Sequence, residues 1–334
     1  MIEEGTITGE LVSVVICAYN NWPDVEMTIE SALHQSHQPT EVIVVDNSST
    51  DETASEVRKR FGNRIQYVLQ PNKGDAGAYN TGFAAAAGDY IQFVDGDDVL
   101  APNKIAKQLN VFRGKPDADI VYGDIRQFQT GEGLATWDDI ITHPEDDILK
   151  EFIAPRRAGW TGIGALGVLF RRCTLDKVGP WDENLYVADL DYWLRAVIAG
   201  CRFEHCAGSP MGFMRRHARQ MTTNYSATNR GLETVFEKAL AYVAGQPYHG
   251  LIRAQLAELR YRTAIARESM DAASALAKLR QARVTDPQRV STLAYALGWV
   301  AINLPGGQFL ARSQSLRTVR TFLSPISGFH RSVR

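Results

Sequence analysis

Near the N-terminus, Val12–Ala18 (VSVVICA) is apolar at every position but Ser13, without the polar alternation of a half-wet strand. A strand of that kind has to be covered on both faces, as in a parallel sheet sandwiched between helices. Glu41–Asp46 (EVIVVD) is a second such run, and Ile65–Leu69, Tyr90–Val94 and Asp119–Tyr122 read as further strands. The intervening segments have helical spacing. Asp24 opens a helix to about Ser36, with Val25, Ile29 and Leu33 on one face. Another carries Val57 and Phe61, with Ser49 or Thr50 as its expected cap. Asp75–Ala87 and Asn103–Phe112 complete the alternation. The fold class expected is therefore α/β, with a mostly parallel central sheet.

In such sheets ligands bind beyond the carboxyl ends of the strands. Three of these ends carry polar groups: Tyr19/Asn20, Asp46/Asn47 and Asp95/Asp97. One such end is an ordinary turn; three so close in sequence point to a shared cleft. Asp95 and Asp97 are two apart where a strand runs out, so in extended geometry both carboxylates face the same side. Paired hard oxygen ligands suit Mg²⁺ or Mn²⁺ completed by substrate phosphates. Gly96 between them has no side chain to obstruct a bulky ligand. The alternative is an acidic turn in which Asp98 caps the next helix.

Further along, the order and spacing of several short pieces are informative: SVVICAYN (Ser13–Asn20), EVIVVDNSSTDET (Glu41–Thr53), NKGDAGAYNTGFAAAAGDYIQFVDGDD (Asn72–Asp98), GVLFRR (Gly167–Arg172), VGPWDENL (Val178–Leu185) and DLDYWLR (Asp189–Arg195). Together they resemble the family 2 glycosyltransferases, which have the GT-A fold and a DXD-type metal motif. The resemblance covers roughly Ser13–Thr222. It implies that Cys17, Ala18 and Tyr19 line the base and ribose pocket. Asp46 would accept a hydrogen bond from the nucleobase, and Asp75 would close that pocket. Asp95, beside Gly96, would hold the ribose. Asp97 would be the principal ligand of Mn²⁺ or Mg²⁺, bridging to the donor diphosphate.

The family's catalytic base is the Asp of a Glu-Asp-x-Asp pattern. Here that stretch is Ala188-Asp189-Leu190-Asp191, which makes Asp189 the candidate base although Ala188 replaces the usual Glu. Asp191, two residues on, faces elsewhere on a helix and is expected to cap Trp193–Ile198. Arg215-Arg216-His217 resembles the segment that closes over the diphosphate in relatives. There His217 is either a further metal ligand or a solvated histidine, and the arginines would neutralise phosphate. Trp160 sits where the family makes acceptor contacts, or is a core residue. The implied activity is metal-dependent, inverting transfer of one sugar from a nucleotide-sugar donor to a glycan or lipid-linked acceptor, in surface glycan or polysaccharide synthesis.

Other readings fit less well. A sugar nucleotidyltransferase wants a glycine-rich basic loop after the first strand, and a dinucleotide enzyme wants G-x-G-x-x-G there; CAYNNWPD is neither. A processive synthase would carry Q-x-x-R-W and membrane helices. A non-catalytic carbohydrate-binding relative would have no need of Asp46, Asp95, Asp97 and Asp189. Cys201, His205 and Cys206 have the wrong spacing for zinc.

The net charge of −2 conceals an asymmetry. Residues 1–249 hold 23 basic against 34 acidic side chains, net −11, and residues 250–334 hold 13 against 4, net +9. The expected division is a catalytic domain over 1–225 and a helical extension with a basic tail over 226–334. Leu232, Val235, Phe236 and Leu240 recur at helical spacing there, as do Leu256, Leu259 and Ala264. Beyond Pro287, Leu293–Leu310 is apolar but interrupted by Gly298, Asn303 and Pro305, and Arg289, Arg312, Arg317 and Arg320 flank it. Residues 288–334 therefore suit either an anionic membrane surface or packing on protein, including a homodimer. No nucleic-acid-binding signature accompanies the basic tail. Four cysteines in 334 residues and an acidic N-terminus without a signal pattern lead to a cytoplasmic expectation, peripheral on the inner membrane face if the tail binds lipid.

Overall fold

The structure, a computed structural model, describes residues 10–129, 140–141, 164–217, 220, 224–266 and 270–303. Trp160, the part of the apolar stretch that follows Asn303 and the arginines beyond it lie outside the described residues. The chain divides into two compact units, Met1–Thr223 and Asn224–Arg334.

The first unit is built on a seven-stranded sheet. In chain order its described elements are β1 (Val12–Ala18), α1 (Asp24–Leu33), β2 (Thr40–Asp46), α2 (Thr53–Phe61), β3 (Gln66–Leu69), α3 (Gly74–Ala85), β4 (Tyr90–Asp95), β5 (Val99–Leu100), α4 (Lys104–Gly114), β6 (Ile120–Gly123), β7 (Ile125–Gln129), β8 (Ile140–Ile141), β9 (Val168–Arg171), α5 (Arg172–Val178), α6 (Ala188–Ile198), β10 (Phe203–Cys206) and β11 (Gly212–Arg216). The large sheet has the order β10-β6-β9-β4-β1-β2-β3. Every pairing in it is parallel except those of β9, which runs antiparallel between β4 and β6. A smaller sheet, β5-β11-β7-β8, lies beside it in the same unit.

All seven residues of β1 are buried, as a strand covered on both faces requires. Val12, Val14 and Ile16 join Ile29 of α1, Val44 of β2 and Leu109 of α4 in one core. On the opposite face α3 approaches β1 so closely that a Cβ at Gly82 would lie 2.1 Å from Val15 Cγ1. Glycine is what permits that helix–sheet contact. The core also contains a buried lysine. Lys104 is fully buried, and its Nζ donates to Gln92 Oε1, to Gln108 Oε1 at 2.5 Å and to the Val168 carbonyl at 3.1 Å. Burial pulls its pKa well below the usual lysine value. Three neutral oxygens from β4, α4 and β9 thus satisfy the ammonium, with no carboxylate paired to it among the described residues, and tie the antiparallel strand to the parallel ones.

The register decides where the site forms. Ala18 pairs with Asp46, and Cys17 with Asp95, so β4, β1 and β2 end side by side. The three polar strand ends therefore share one edge.

Three expected caps are not caps. Ser49 and Thr50 precede α2 without capping it: the Ser49 Oγ accepts from the Asn20 N–H at 3.0 Å, and the Thr50 N–H donates to Asn20 Oδ1 at 2.7 Å. The two segments that leave β1 and β2 are stitched together instead. Asp98 is buried and accepts the Arg215 N–H at 2.9 Å, joining the β4 turn to β11. Asp191 lies inside the first turn of α6, buried, with Arg195 Nε 2.8 Å away.

The second unit contains α7 (Tyr225–Tyr242), α8 (His249–Ala266), α9 (Ala272–Thr285) and α10 (Thr292–Asn303) among its described residues. Val235, Phe236 and Ala239 of α7 are buried, as are Leu256, Ala257 and Tyr261 of α8. Arg260 reaches both Glu233 and Glu237 of α7, and Lys278 of α9 also reaches Glu233. Tyr261 donates to the Ala294 carbonyl at 3.0 Å, and Gly298 of α10 packs on Tyr261 and Leu279. The opposite side of α10 is bare: Leu297, Trp299 and Val300 are 41%, 50% and 39% exposed. No described helix is long and apolar enough to cross a membrane.

Candidate active site

The carboxyl edge of β4, β1 and β2 carries most of the residues singled out from the sequence. Cys17 and Ala18 close β1 as buried side chains, and Tyr19 follows, 48% exposed at the rim. The Cys17 Sγ lies 3.4 Å from Asp75 Oδ1, and its backbone carbonyl accepts the Gly96 N–H at 2.8 Å. Burial, with the Asp75 and Asp95 charges behind it, pushes the Cys17 thiol well above the usual thiol value, so it is an inert wall rather than a nucleophile. Gly96 is needed for a different reason from the one its spacing suggested. A Cβ there would lie 2.2 Å from Asn21 Nδ2 and 2.7 Å from the Cys17 carbonyl, so the missing side chain admits β1 rather than a ligand.

Asp46 is fully buried at the end of β2. Its Oδ1 accepts the Ser49 N–H at 2.7 Å, and its Oδ2 accepts the Tyr67 hydroxyl. Burial, reinforced by the Asp46 carboxylate, keeps that phenol protonated, with its pKa above the usual tyrosine range. Asn47 turns back over β1, donating to the Gly74 carbonyl at 3.2 Å, and accepts from Gln70 at 2.6 Å.

Four carboxylates converge electrostatically. Asp95 at the end of β4 is held well above the ordinary carboxylate range by burial first, then by the charges of Asp75 and Asp97, with Asp189 adding to the rise. Asp75, at the first turn of α3, keeps an exposed edge, but the protein packed around its carboxyl raises it too. Asp189, in the first turn of α6, gives one oxygen to the Leu190 N–H at 2.8 Å. Burial pushes Asp189 up to about 7, and the Asp75 charge contributes in the same direction. A carboxyl poised there can accept a proton near neutral pH.

His217 follows β11 and brings its Nε2 to 2.7 Å from Asp97 Oδ2. A carboxylate and an imidazole side by side fit a divalent cation that completes its shell with phosphate oxygens and water. Among the described residues no group of three or more His, Cys, Asp or Glu forms a cage that would hold an ion by protein alone. Arg215 does not face outward toward a phosphate. It is 3% exposed, with Nε donating to the Asp97 carbonyl at 2.9 Å, Nη1 at 3.3 Å from Asp24 and the guanidinium over the Phe128 ring.

Two residues went unremarked in the sequence and matter here. Tyr79 donates to Asp95 Oδ1 at 2.5 Å, and it was findable, lying one helical turn after Asp75 on the same face. Trp181 stacks on Tyr192 of α6 with centroids 4.2 Å apart and meets Phe93 of β4 edge-on. That aromatic layer joins the strand of Asp95 to the helix of Asp189. Trp160 lies outside the described residues.

Residues 13–172 match the model of glycosyl transferase family 2. The matching segment holds Asp46, Asp75, Asp95 and Asp97, while Asp189 and His217 lie beyond it. A glycosyltransferase of Nostoc sp. is 32% identical over 177 residues, 51% of this chain and 54% of the relative. A second relative is the UDP-Glc:alpha-D-GlcNAc-diphosphoundecaprenol beta-1,3-glucosyltransferase WfaP of Escherichia coli, 41% identical over 102 residues, 30% of this chain and 41% of that protein. This chain thus spans about half the length of these relatives or less. Among solved structures, Staphylococcus aureus TarS 1–349 with UDP-GlcNAc superposes with a TM-score of 0.60 at 17% identity, covering 93% of this chain and 90% of that one. The mannosyltransferase PcManGT of Pyrobaculum calidifontis, with GDP-Man and Mn²⁺, gives 0.55 at 20% identity, covering 94% and 84%. At such identities the likeness establishes the GT-A fold.

Proposed function

We propose that the protein is a metal-dependent, inverting glycosyltransferase that moves one sugar from a nucleotide-sugar donor to an acceptor hydroxyl. The observation that carries this reading is the convergence of Asp75, Asp95 and Asp97 with Asp189, whose pKa is pushed up to about 7. Cys17, Ala18, Tyr19, Asp46 and Asp75 form the base and ribose pocket, and Asp95 holds the ribose beside Gly96. Asp97 and His217 are the metal ligands. Mn²⁺ or Mg²⁺ bound there supplies Lewis-acid stabilisation of negative charge on the departing diphosphate. Asp189 takes the proton of the acceptor hydroxyl as that oxygen attacks the anomeric carbon opposite the leaving group. Trp160 is the proposed acceptor contact.

Calorimetry with nucleoside diphosphates tests the reading. Binding that needs Mn²⁺ or Mg²⁺ is expected; metal-independent binding of glycans alone would make the protein a carbohydrate-binding relative instead.

A glycan or lipid-linked acceptor, in surface glycan or polysaccharide synthesis, is supported by the relative named for a diphosphoundecaprenol substrate. Such an acceptor would bring the enzyme to the inner face of a membrane. The bare Leu297, Trp299 and Val300 of α10 and the acid-free, Arg-containing sequence after Asp286 support that location. Each Arg near an anionic surface contributes about 1 kcal/mol and is screened by salt. The protein is therefore expected to sediment with anionic liposomes at low salt, less so at high salt, and much less with Leu297 and Trp299 replaced by Ala. Indifference to liposomes, with a dimer in ultracentrifugation that these replacements dissociate, would assign the face to a second copy.

A further inference from the structure

We infer that Tyr79 is a positioning residue that aims the Asp95 carboxylate at the donor's ribose hydroxyls and so sets discrimination between ribose and its deoxy forms. The inference rests on the proposed role of Asp95 in holding the ribose.

Tyr79 is 5% exposed, and a phenol that deep in the protein needs a hydrogen-bond partner. Its partner is Asp95 Oδ1 at 2.5 Å. Among the described residues no other side chain donates to that carboxylate. The phenol stays a donor, since burial and the surrounding acids hold it well above the usual tyrosine range. Its ring cannot swing away. Phe93 packs against it at 4.8 Å between centroids, and Trp181 meets it edge-on at 5.2 Å. The hydroxyl therefore has a fixed position, and it fixes one oxygen of Asp95.

A carboxylate held at one oxygen presents the other in a set direction. A free one rotates about its Cβ–Cγ bond and has to be ordered at each binding event. A vicinal diol rewards that direction, because its hydroxyls can donate to an acceptor already in place. A neutral phenol achieves this without importing a cation. An Arg or Lys at the same point would cancel part of the negative field of Asp75, Asp95 and Asp97. Tyrosine orients Asp95 and leaves the charge intact for a divalent ion.

The test replaces Tyr79 by Phe, which keeps the ring and its contacts with Phe93 and Trp181 and removes only the hydroxyl. The full-length protein is titrated in Mn²⁺ with the nucleoside diphosphate it binds best among the five common bases. The titration is repeated with the 2′,3′-dideoxy analogue. Wild type should prefer the ordinary nucleotide by about tenfold or more, the factor that 1.4 kcal/mol of hydrogen bonding provides. Tyr79→Phe should cut that ratio at least threefold, with the loss falling on the ordinary nucleotide and an unchanged affinity for the dideoxy form. In Asp95→Ala the ratio should collapse, and adding Tyr79→Phe should change nothing more. A merely structural tyrosine would weaken both nucleotides alike, and an unchanged ratio in Tyr79→Phe overturns the inference. If wild type binds nucleoside diphosphates but ignores the deoxygenation, Asp95 does not read the ribose, and the inference falls while the transferase reading stands. If wild type binds none of the five, both fall together.

Discussion

Asp189→Asn is expected to bind the donor nucleotide about as well as wild type while turnover falls about 10²–10⁴-fold, the usual cost of losing a general base. The asparagine keeps the hydrogen bond that the Leu190 N–H now makes to Asp189 Oδ1, so the first turn of α6 should hold its shape. What disappears is the lone pair that accepts a proton. The wild-type pH profile supplies an independent check. Because burial raises the Asp189 pKa to about 7, the reactive carboxylate is present above that value and lost below it. The kcat/KM of wild type should therefore fall about tenfold per unit on the acid side of 7, and Asp189→Asn should lose that limb. Asp191 provides the control. It is buried against Arg195, so Asp191→Asn should lower the melting temperature and leave the limb in place. Near-normal turnover in Asp189→Asn, with the limb lost in Asp191→Asn, would transfer the role of base.

Asp97→Ala should abolish metal-dependent nucleotide binding. Loss of a residue that merely supports a metal ligand already costs about 10–100-fold in metal affinity, and removal of the main carboxylate ligand should exceed that. Folding should survive. Arg215 grips the backbone carbonyl of Asp97 and the carboxylate of Asp98, and neither is touched by the substitution. The readout is calorimetric titration of a nucleoside diphosphate with Mn²⁺ and with chelator. Wild type should show a large difference between the two and Asp97→Ala none, while the melting temperature changes little. Retained affinity that chelation does not alter in wild type would remove the metal from the proposal. His217→Gln should weaken binding less, since the ion keeps its carboxylate.

The central strands were legible because burial on both faces writes itself as an unbroken apolar run. Val12–Ala18 and Glu41–Asp46 show this, and the sheet they form explains why the polar residues after them converge. Strands that exist through pairing alone carried no such mark. Val99–Leu100 and Ile140–Ile141 are two residues long, and Gly212–Arg216 mixes apolar and charged positions. The misread caps have a shared physical origin. Ser49, Asp98 and Asp191 are good helix-starting residues, but each found a partner that local spacing does not reveal: Asn20, Arg215 and Arg195. Lys104 was the least legible of all. Nothing in KIAKQ announces that its ammonium is buried among oxygens from three separate elements.

The position of β9 has a consequence for how the protein is made. Strands β4 and β6 are successive strands of the large sheet along the chain, with only β5 of the smaller sheet between them, yet they are not neighbours; each waits for Val168–Arg171 to slot between them. The outer edge of β6 waits longer, until Phe203–Cys206 arrives. Through that interval the nascent chain carries open strand edges and an uncovered aromatic face on Phe93 and Phe170, the features that draw chaperones or drive aggregation. A shortened protein ending at Arg172, where the family match stops, would be left in that state permanently. It would retain Asp46, Asp75, Asp95 and Asp97 and have neither the strand that seals β6 nor Trp193, which stacks on Phe170. The matched stretch thus stops short of the strand and helix that complete the sheet and its aromatic layer.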